Sequence, residues 1–546
     1  MGFLGILEDK NLAHVPGTVI LDEQNAHSEE VTAGLKHATG KNSHIVLVPQ
    51  PSEDPNDPLN YSATKKLIIL LILGYGACLN AATLGPLTNA SVVVIAEDFK
   101  TSITAITLTS GYLLLVVGAS APLVSAGSRK IGKRPVFLLS SLLGMVGTIV
   151  GSATNNYVGF RAARIIQGLS SSAYESIIVA AIVQFILGSV SNFSSVITGP
   201  ITNDLGWKWL FHLFILFSGI QIILLVLFVP ETTYRRDIRY ETDELVVDNL
   251  EDLARVEHRH GVVNEQGTND DTLKKTETTN TVDSAWTPPP PKKTFVQEMA
   301  VFTGIHSDEN IIQLFIAPFA VCLNLAVLWI VVISGMFTAL YVAVAYDLAQ
   351  IFSLPPYNLT AAGVGYLSLG PFIGGIIASV LLGIMYDPLI KWCTHRNHGI
   401  YEPEYRILPS IFGLATGVGL MAFGKLASEH KSYYATATMH GMMLFGIMFV
   451  AITTATYALD AYRDMSNEIF IAGMMLKNFV FYGFSYFVNN WTATAGPAHV
   501  FYVFGGVAFA LMATMPPMFF FGKRYRSFWH RHNLLKTLKI RTHSEI

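Results

Sequence analysis

Twelve runs of apolar residues, each near the ~20 needed to cross a bilayer as a helix, set the order of this chain. Six lie at about 67–94, 103–127, 135–153, 157–183, 185–204 and 208–229. Six more lie at about 314–346, 359–386, 407–425, 435–459, 467–490 and 498–521. The polar stretch between the two sets holds Arg235-Arg236, an acidic piece around Glu241–Glu257 that reads as helix, and Pro288 to Pro291. Such a composition buries too little apolar surface to fold alone, so a mostly disordered linker is expected. The pattern predicts an all-α membrane protein of twelve transmembrane helices in two pseudo-symmetric six-helix bundles. Its expected parts are an N-terminal tail 1–65, a bundle 66–229, a linker 230–310, a bundle 311–522 and a basic tail 523–546.

Composition sharpens that picture. Charged residues make up 14% of the chain and apolar ones 51%, against roughly a quarter charged in a soluble domain. The formal net charge of −3 gives no general attraction to nucleic acid. Three scattered cysteines, Cys78, Cys322 and Cys393, fit neither a disulfide framework nor a metal site. No phosphate-binding G-x-x-x-x-G-K-[ST] loop and no nucleophile–base set is visible, so neither ATP drive nor an enzyme is expected, and no cofactor. The tail opens without a secretory signal pattern, and Asp54-Pro55-Asn56-Asp57-Pro58 reads as an extended approach to the membrane. Lysine and arginine placement orients the spans. With both termini in the cytoplasm, Arg129, Lys130, Lys133, Arg134, the linker, Lys391, Arg396, Arg406 and the basic tail all fall inside. Only Lys100, Lys208, Lys425 and Lys431 fall outside.

The stretch Tyr157 to Asp204 is the most informative. Arg161, Arg164, Gln167 and Glu175 interrupt its apolar residues, and a charge at mid-membrane costs at least ~2.5–3.5 kcal/mol unless it faces a bundle interior or pathway. Arg164 and Glu175 are about three turns apart on one helical face, so the stripe predicts a lined cavity. Two spans must fit into this stretch, leaving only a short turn around Val179 to Gly188.

Several motifs here resemble the major facilitator superfamily of transporters. Arg164-Ile-Ile-Gln167-Gly168 looks like its R-x-x-Q-G motif. Gly199-Pro200 resembles the Gly-Pro pair of its proton-driven antiporters, and Gly206-Trp207-Lys208-Trp209 and Pro230-Glu231-Thr232 resemble the entry and exit of span six. Glu402-Pro403-Glu404-Tyr405-Arg406 with Leu408-Pro409, Tyr457 to Arg463, and Lys477-Asn478 are similar to signatures of a fungal subgroup. That subgroup holds drug:proton antiporters and permeases like the histidinol and polyamine permease. The resemblance covers roughly residues 50 to 525. It implies a monomeric plasma-membrane carrier of small solutes and protons, without ATP, working by alternating access.

Two departures from the family pattern stand out. In the loop between spans two and three, Arg129 occupies the place of an acid that latches helices in the family, while Lys130, Gly132 and Arg134 keep the basic and glycine positions. A guanidinium cannot accept the hydrogen bonds of that carboxylate, so an altered latch is expected. The counterpart loop in the second half keeps Gly383 and Asp387. The other departure is the junction near 181–187, where the family carries a charged loop. Either a deletion in the gene model or transcript, or a natural shortening, accounts for it.

Candidate working residues follow. Glu175, Asp460 and Arg164 are candidates for proton coupling, and Asn80, Gln167, Asn324, His440, Tyr457, Lys477 and Tyr482 for the substrate cavity. Each has a plainer alternative. Asp460 could anchor a loop, Lys477 favours a structural ion pair because a lone ammonium is costly there, and the aromatics could serve packing. Pro200 removes a backbone hydrogen bond and bends span five, while Gly199 permits close helix approach. The expected function is a secondary active transporter, proton-coupled, for small cationic or amphipathic solutes, either exporting drugs or importing polyamine-like cations. The altered loop and shortened junction keep open a non-transporting sensor or inactive paralogue.

Overall fold

The computed structural model describes residues 3–9, 12, 15–20, 51–52, 54–177, 190–234, 291–307 and 310–538. The junction at 181–187 and the acidic helix expected around Glu241–Glu257 lie outside the described residues, as does most of the linker. The chain divides into two compact units: Met1–Thr18, Ile68–Glu231 and Met299–Ile546 form one, and Val19–Leu67 with Thr232–Glu298 the other.

The first unit is built almost wholly of helices. Ten are long and apolar enough to cross a membrane. They are α1 (Ala63–Thr83), α2 (Ile103–Ile131), α3 (Lys133–Ala153), α6 (Lys208–Phe228), α7 (Leu325–Ser353), α8 (Ala361–Arg396), α9 (Pro403–Ser428), α10 (Tyr433–Ala461), α11 (Arg463–Ala495) and α12 (Pro497–Arg531). Two further helices, α4 (Tyr157–Ser176) and α5 (Ser191–Leu205), flank residues 178–189 and complete the six-plus-six order. Side-chain caps start several of them: Ser102 accepts from Ala105 N at 3.1 Å, Asn156 from Gly159 N at 2.7 Å, and Thr360 from Gly363 N at 3.3 Å. Each cap satisfies an amide that the first helical turn leaves open.

Large apolar side chains such as Leu71, Leu139, Leu216, Ile223 and Ile384 stand exposed around these helices. Continuous apolar surface of this extent is untenable in water and fits a lipid-facing belt. Polar residues turn inward instead, with Ser141, Thr148, Arg164, Gln167, Ser171, Asn478 and Asn489 all buried. At the end opposite the basic loops, Trp207 donates to Asp98 at 3.0 Å and packs edge-on against Phe99, Phe160 and Phe211. The Gly-Trp-Lys-Trp turn is thus a tied aromatic corner.

Three expectations need correction. The run at 314–346 is two helices, Ile311–Ala320 and α7, parted by a 3-10 turn at Val321–Leu323. Asn324 causes the break, because its Oδ1 accepts from Ala326 N and Val327 N at 3.0 and 3.4 Å and caps α7. The basic tail does not begin at 523 as a separate segment, since the helix Met515–Arg531 runs through and buries Lys523 and Arg526. Nor is the approach around Pro55 extended. In the second unit Asp57 N donates to Asp54 O at 3.1 Å, Asp57 Oδ1 accepts from Leu59 N at 2.9 Å, and Tyr234 donates to Asp54 at 3.0 Å. Lys65 of this unit pairs with Glu298 at 2.8 Å.

Candidate functional site

A cavity of about 240 Å³ lies within the first unit, walled by both sets of spans. From the first set come Gly85, Ser110, Glu175 and Asn192; from the second come Tyr341, Tyr346, His440 and Lys477. Of the residues singled out in sequence, Glu175, His440 and Lys477 line it.

Glu175 and Lys477 form an ion pair of 3.0 Å between α4 and α11, and Asn478 Nδ2 reaches the same carboxylate oxygen at 3.4 Å. The pair joins the two halves through the cavity wall. Lys477 therefore has the partner that its mid-span position demands. His440 is buried, its ring lies 5.2 Å from that of Tyr341, and neither ring nitrogen has a hydrogen-bond partner among the described residues. Tyr341 in turn donates to Asn192 on α5, a second polar bridge between the halves.

Arg164 is buried like Glu175, but of the two only Glu175 lines the cavity. Arg164 is fully buried and bonds Leu84 O and Gly85 O at 2.8 Å each, Ser110 Oγ at 3.1 Å and Gln167 Oε1 at 3.0 Å. The reason lies in α1, where the helix Ala63–Ala77 passes into a wide π turn at Cys78–Thr83 and then a 3-10 turn at Pro86–Ser91. A broken helix inside a bundle leaves carbonyls without amide partners, and the rigid guanidinium fork supplies the missing donors. Gln167 extends this network to Thr148 at 3.1 Å. Asn80 ties α1 to α4 through Ser170 at 3.0 Å. Neither lines the cavity, and Asn324 is the α7 cap. Tyr457 is buried against Trp329 and Tyr462, and Tyr482 packs on Tyr112 at 5.6 Å. None of the five is among the residues that line this cavity.

At the basic-loop end, Arg129 pairs with Glu468 at 2.6 Å, joining the end of α2 to the start of α11. The altered loop is thus a latch of reversed polarity: the cation sits on α2 and the carboxylate on α11. Glu231 accepts from Lys133 N and Arg134 N at 3.0 Å each. Gly132 stands beside it with φ of 98°, and a Cβ there would run into the Glu231 carboxylate. Arg134 is buried and donates to Val226 O and Met299 O at 2.9 and 3.0 Å, while the backbone carbonyl of Lys130 receives His306 N at 2.9 Å. The counterpart loop forms no matching latch. Gly383 has no neighbour at its Cα face, and Asp387 is exposed with no hydrogen bond or ion pair among the described residues.

Glu402 and Glu404 meet the helix Met515–Arg531 in a charge network. Arg526 bonds Glu402 at 3.1 Å and Glu404 at 2.8 Å, and Lys523 bonds Glu402 and Glu8 at 2.6 Å each. Asp460 pairs with Arg406 at 2.7 Å and accepts from Tyr401. Asp460 is thus a loop anchor, away from the cavity. The first residues of the chain join this network: Ile6 and Val15 are buried, and Asp9 accepts from Ser527 at 2.6 Å.

Sequence reasoning missed Glu468, Asn192 and Asp347. Glu468 could have been sought, because a cation at 129 calls for an acid nearby. Asp347 fell one residue beyond the expected end of the seventh run, and the Asn324 cap shifts that helix to include it.

A membrane protein whose two sets of six spans enclose a cavity between them has the architecture of a solute transporter. The Major Facilitator Superfamily profile matches residues 71–476, and the chain belongs to that superfamily of membrane transporters. An uncharacterized MFS-type transporter of Schizosaccharomyces pombe is 27% identical, with 98% of this chain and 96% of that protein covered. Protein HOL1 of Saccharomyces cerevisiae is 23% identical over 97% and 98% of the two chains. The probable drug/proton antiporter YHK8 of the same yeast is 21% identical over 85% and 86%.

Proposed function

We propose that this transporter moves small cationic or amphipathic solutes in exchange for, or together with, protons, and that Glu175 is the residue that receives the positive charge. The observation that carries this reading is the Glu175–Lys477 ion pair on the wall of the cavity between the halves. A cationic solute competes with Lys477 for the carboxylate. Once it wins, the tether between α4 and α11 is replaced by solute contacts and the halves are free to rock about the site. Apolar lining from Leu444, Ile447, Met448, Met474 and Phe481 suits the hydrocarbon part of an amphipathic cation. The similarity to a probable drug/proton antiporter of Saccharomyces cerevisiae supports this reading. Placement in the plasma membrane with both termini cytoplasmic belongs to the same proposal and is supported by the clustering of basic residues at one end.

The test is solute flux in fungal cells lacking their own polyamine and drug carriers. Labelled spermidine and a panel of cationic drugs are followed across a pH gradient, with Glu175→Gln alongside. Gradient-dependent accumulation indicates import and reduced accumulation indicates export. The variant should weaken either by about tenfold, the loss that ~1.4 kcal/mol of charge attraction carries. Equal flux in Glu175→Gln removes this residue from the mechanism. Absence of flux from correctly localised protein overturns the transport reading in favour of a non-transporting role.

A further inference from the structure

The seam between α7 and α11 contains one titratable group that the scheme above does not use. Asp347 is fully buried, and its Oδ2 accepts a hydrogen bond from the Thr492 hydroxyl. Its Oδ1 has no partner, and the residue forms no ion pair among the described residues. The groups around it are neutral. Asn489 Nδ2 donates to Tyr346 O at 3.1 Å and to Gln350 Oε1 at 2.9 Å, and Gln350 Nε2 returns a bond to Asn489 O at 3.0 Å.

The charged groups of the packed elements are all engaged elsewhere or distant. Lys477 of α11 is held by Glu175, and its position is fifteen residues from Thr492, about 22 Å along the helix. His440 of α10 rests on Tyr341. Asp98, on the short helix Val92–Asp98, accepts from Trp207, and Glu97 precedes it. Arg164 of α4 is taken up by Leu84 O, Gly85 O, Ser110 and Gln167. None of these bonds Asp347. An ionised carboxylate here would be a buried anion without an ion-pair partner, which is costly. A carboxyl that keeps its proton avoids that cost.

Two observations give the proton a way out. Tyr346 and Leu348, on either side of Asp347, both line the cavity, so the seam is one side chain away from the solute path. Arg164 is a buried guanidinium of the same unit whose acceptors are all uncharged: two carbonyls, a hydroxyl and an amide oxygen. Among the described residues it forms no ion pair, so its positive charge is uncompensated there.

We propose that Asp347 is a proton-carrying site separate from the solute site. It holds a proton while the α7–α11 seam is closed. It releases that proton to cavity water when α7 moves, the resulting carboxylate being stabilised by the positive charge of Arg164. Work is thereby divided between two carboxyl groups. Glu175, paired with Lys477 at rest, binds the cation, and Asp347 carries the proton.

This rests on the proton-coupled reading given above, and the full-length protein tests the two apart. Infrared spectroscopy of purified protein in an ester-free detergent reads the carboxylic C=O stretch directly. Wild type should show a protonated-carboxyl band near neutral pH that Asp347→Asn lacks and Glu175→Gln retains. In proteoliposomes loaded with labelled spermidine or tetraphenylphosphonium, one proton exchanged per solute lets a pH difference of about one unit support a roughly tenfold concentration ratio. Asp347→Asn should collapse that ratio towards unity while solute exchange without a gradient persists. Asp347→Glu should recover coupling with a displaced pH dependence. A merely structural carboxyl predicts the opposite ranking, because asparagine keeps the shape and glutamate does not. An unchanged infrared band, or full gradient-driven accumulation by Asp347→Asn, overturns the assignment of Asp347 alone. Wild-type solute exchange with no response to a pH gradient overturns proton coupling itself, and this proposal with it.

Discussion

At the scale of single residues, Arg164 shows how a motif can be functional in appearance and architectural in action. Its hydrogen bonds to Leu84 O and Gly85 O hold the irregular end of α1, whose residues Ala81, Ala82, Gly85 and Pro86 line the cavity. The side chain thus shapes the site without touching solute. Arg164→Met strands two buried carbonyls, each costing about 1–3 kcal/mol. The expected result is a clear drop in the thermal midpoint in detergent, together with lost transport. Arg164→Lys should recover only part of both, because a point ammonium cannot reach four acceptors spread across a planar fork. A variant that loses transport with an unaltered melting curve would instead place Arg164 among the solute-binding groups.

At the scale of elements, the Arg129–Glu468 pair is a latch between α2 and α11 whose polarity runs opposite to the family pattern. Arg129 is 18% exposed and Glu468 1% exposed, so the carboxylate depends on this cation. Arg129→Glu or Glu468→Arg alone places like charges together and should loosen the basic-loop end. The double exchange should restore it, with a coupling energy of about 1–3 kcal/mol in a double-mutant cycle on thermal stability. Additive single effects would mean that the pair is not a latch.

Much of this level was legible in the sequence. Run lengths gave the spans, the stranded basic residue at 129 gave an altered latch, and the cost of a lone ammonium gave Lys477 a partner. What the chain could not disclose was register between distant elements. Nothing local says that Glu468 meets Arg129, that Glu402 and Glu404 meet Arg526, or that Asp460 meets Arg406 rather than solute. The stripe on α4 predicted an inward face correctly but could not separate Glu175, which reaches the cavity, from Gln167, which is consumed by Arg164 and Thr148. Asn324 misled for a related reason. A polar residue in an apolar run reads equally as a cavity contact or as a cap, and only the break in the helix decides.

At the scale of the whole transporter, rocking of the halves depends on two seams where backbones come close across the cavity. Along α2 and α11, Gly118 faces the Asn478 Cβ, and a Cβ on Gly118 would lie 3.1 Å from it. Between α5 and α8, a Cβ on Gly199 would lie 2.6 Å from Ala361 O and 3.2 Å from the Cα of Gly365. The oxygen is main chain and cannot rotate away, so a side chain at 199 must push the two helices apart. Pro200 adds that α5 has one backbone donor fewer at this point, which eases its bending as the seam opens and closes. Gly199→Leu is therefore expected to leave each half folded while preventing the α5–α8 seam from closing. Its thermal midpoint should shift little, since most packing lies within each half. Transport should fall to background, and a Ser195→Cys reporter in the cavity wall should react faster with a charged thiol reagent in the leucine variant than in its parent. Unchanged reactivity with normal transport would show that the close contact is incidental to the cycle. Reduced reactivity would show that the bulky residue wedges the seam shut, reversing the direction of the effect but keeping the seam as the moving part.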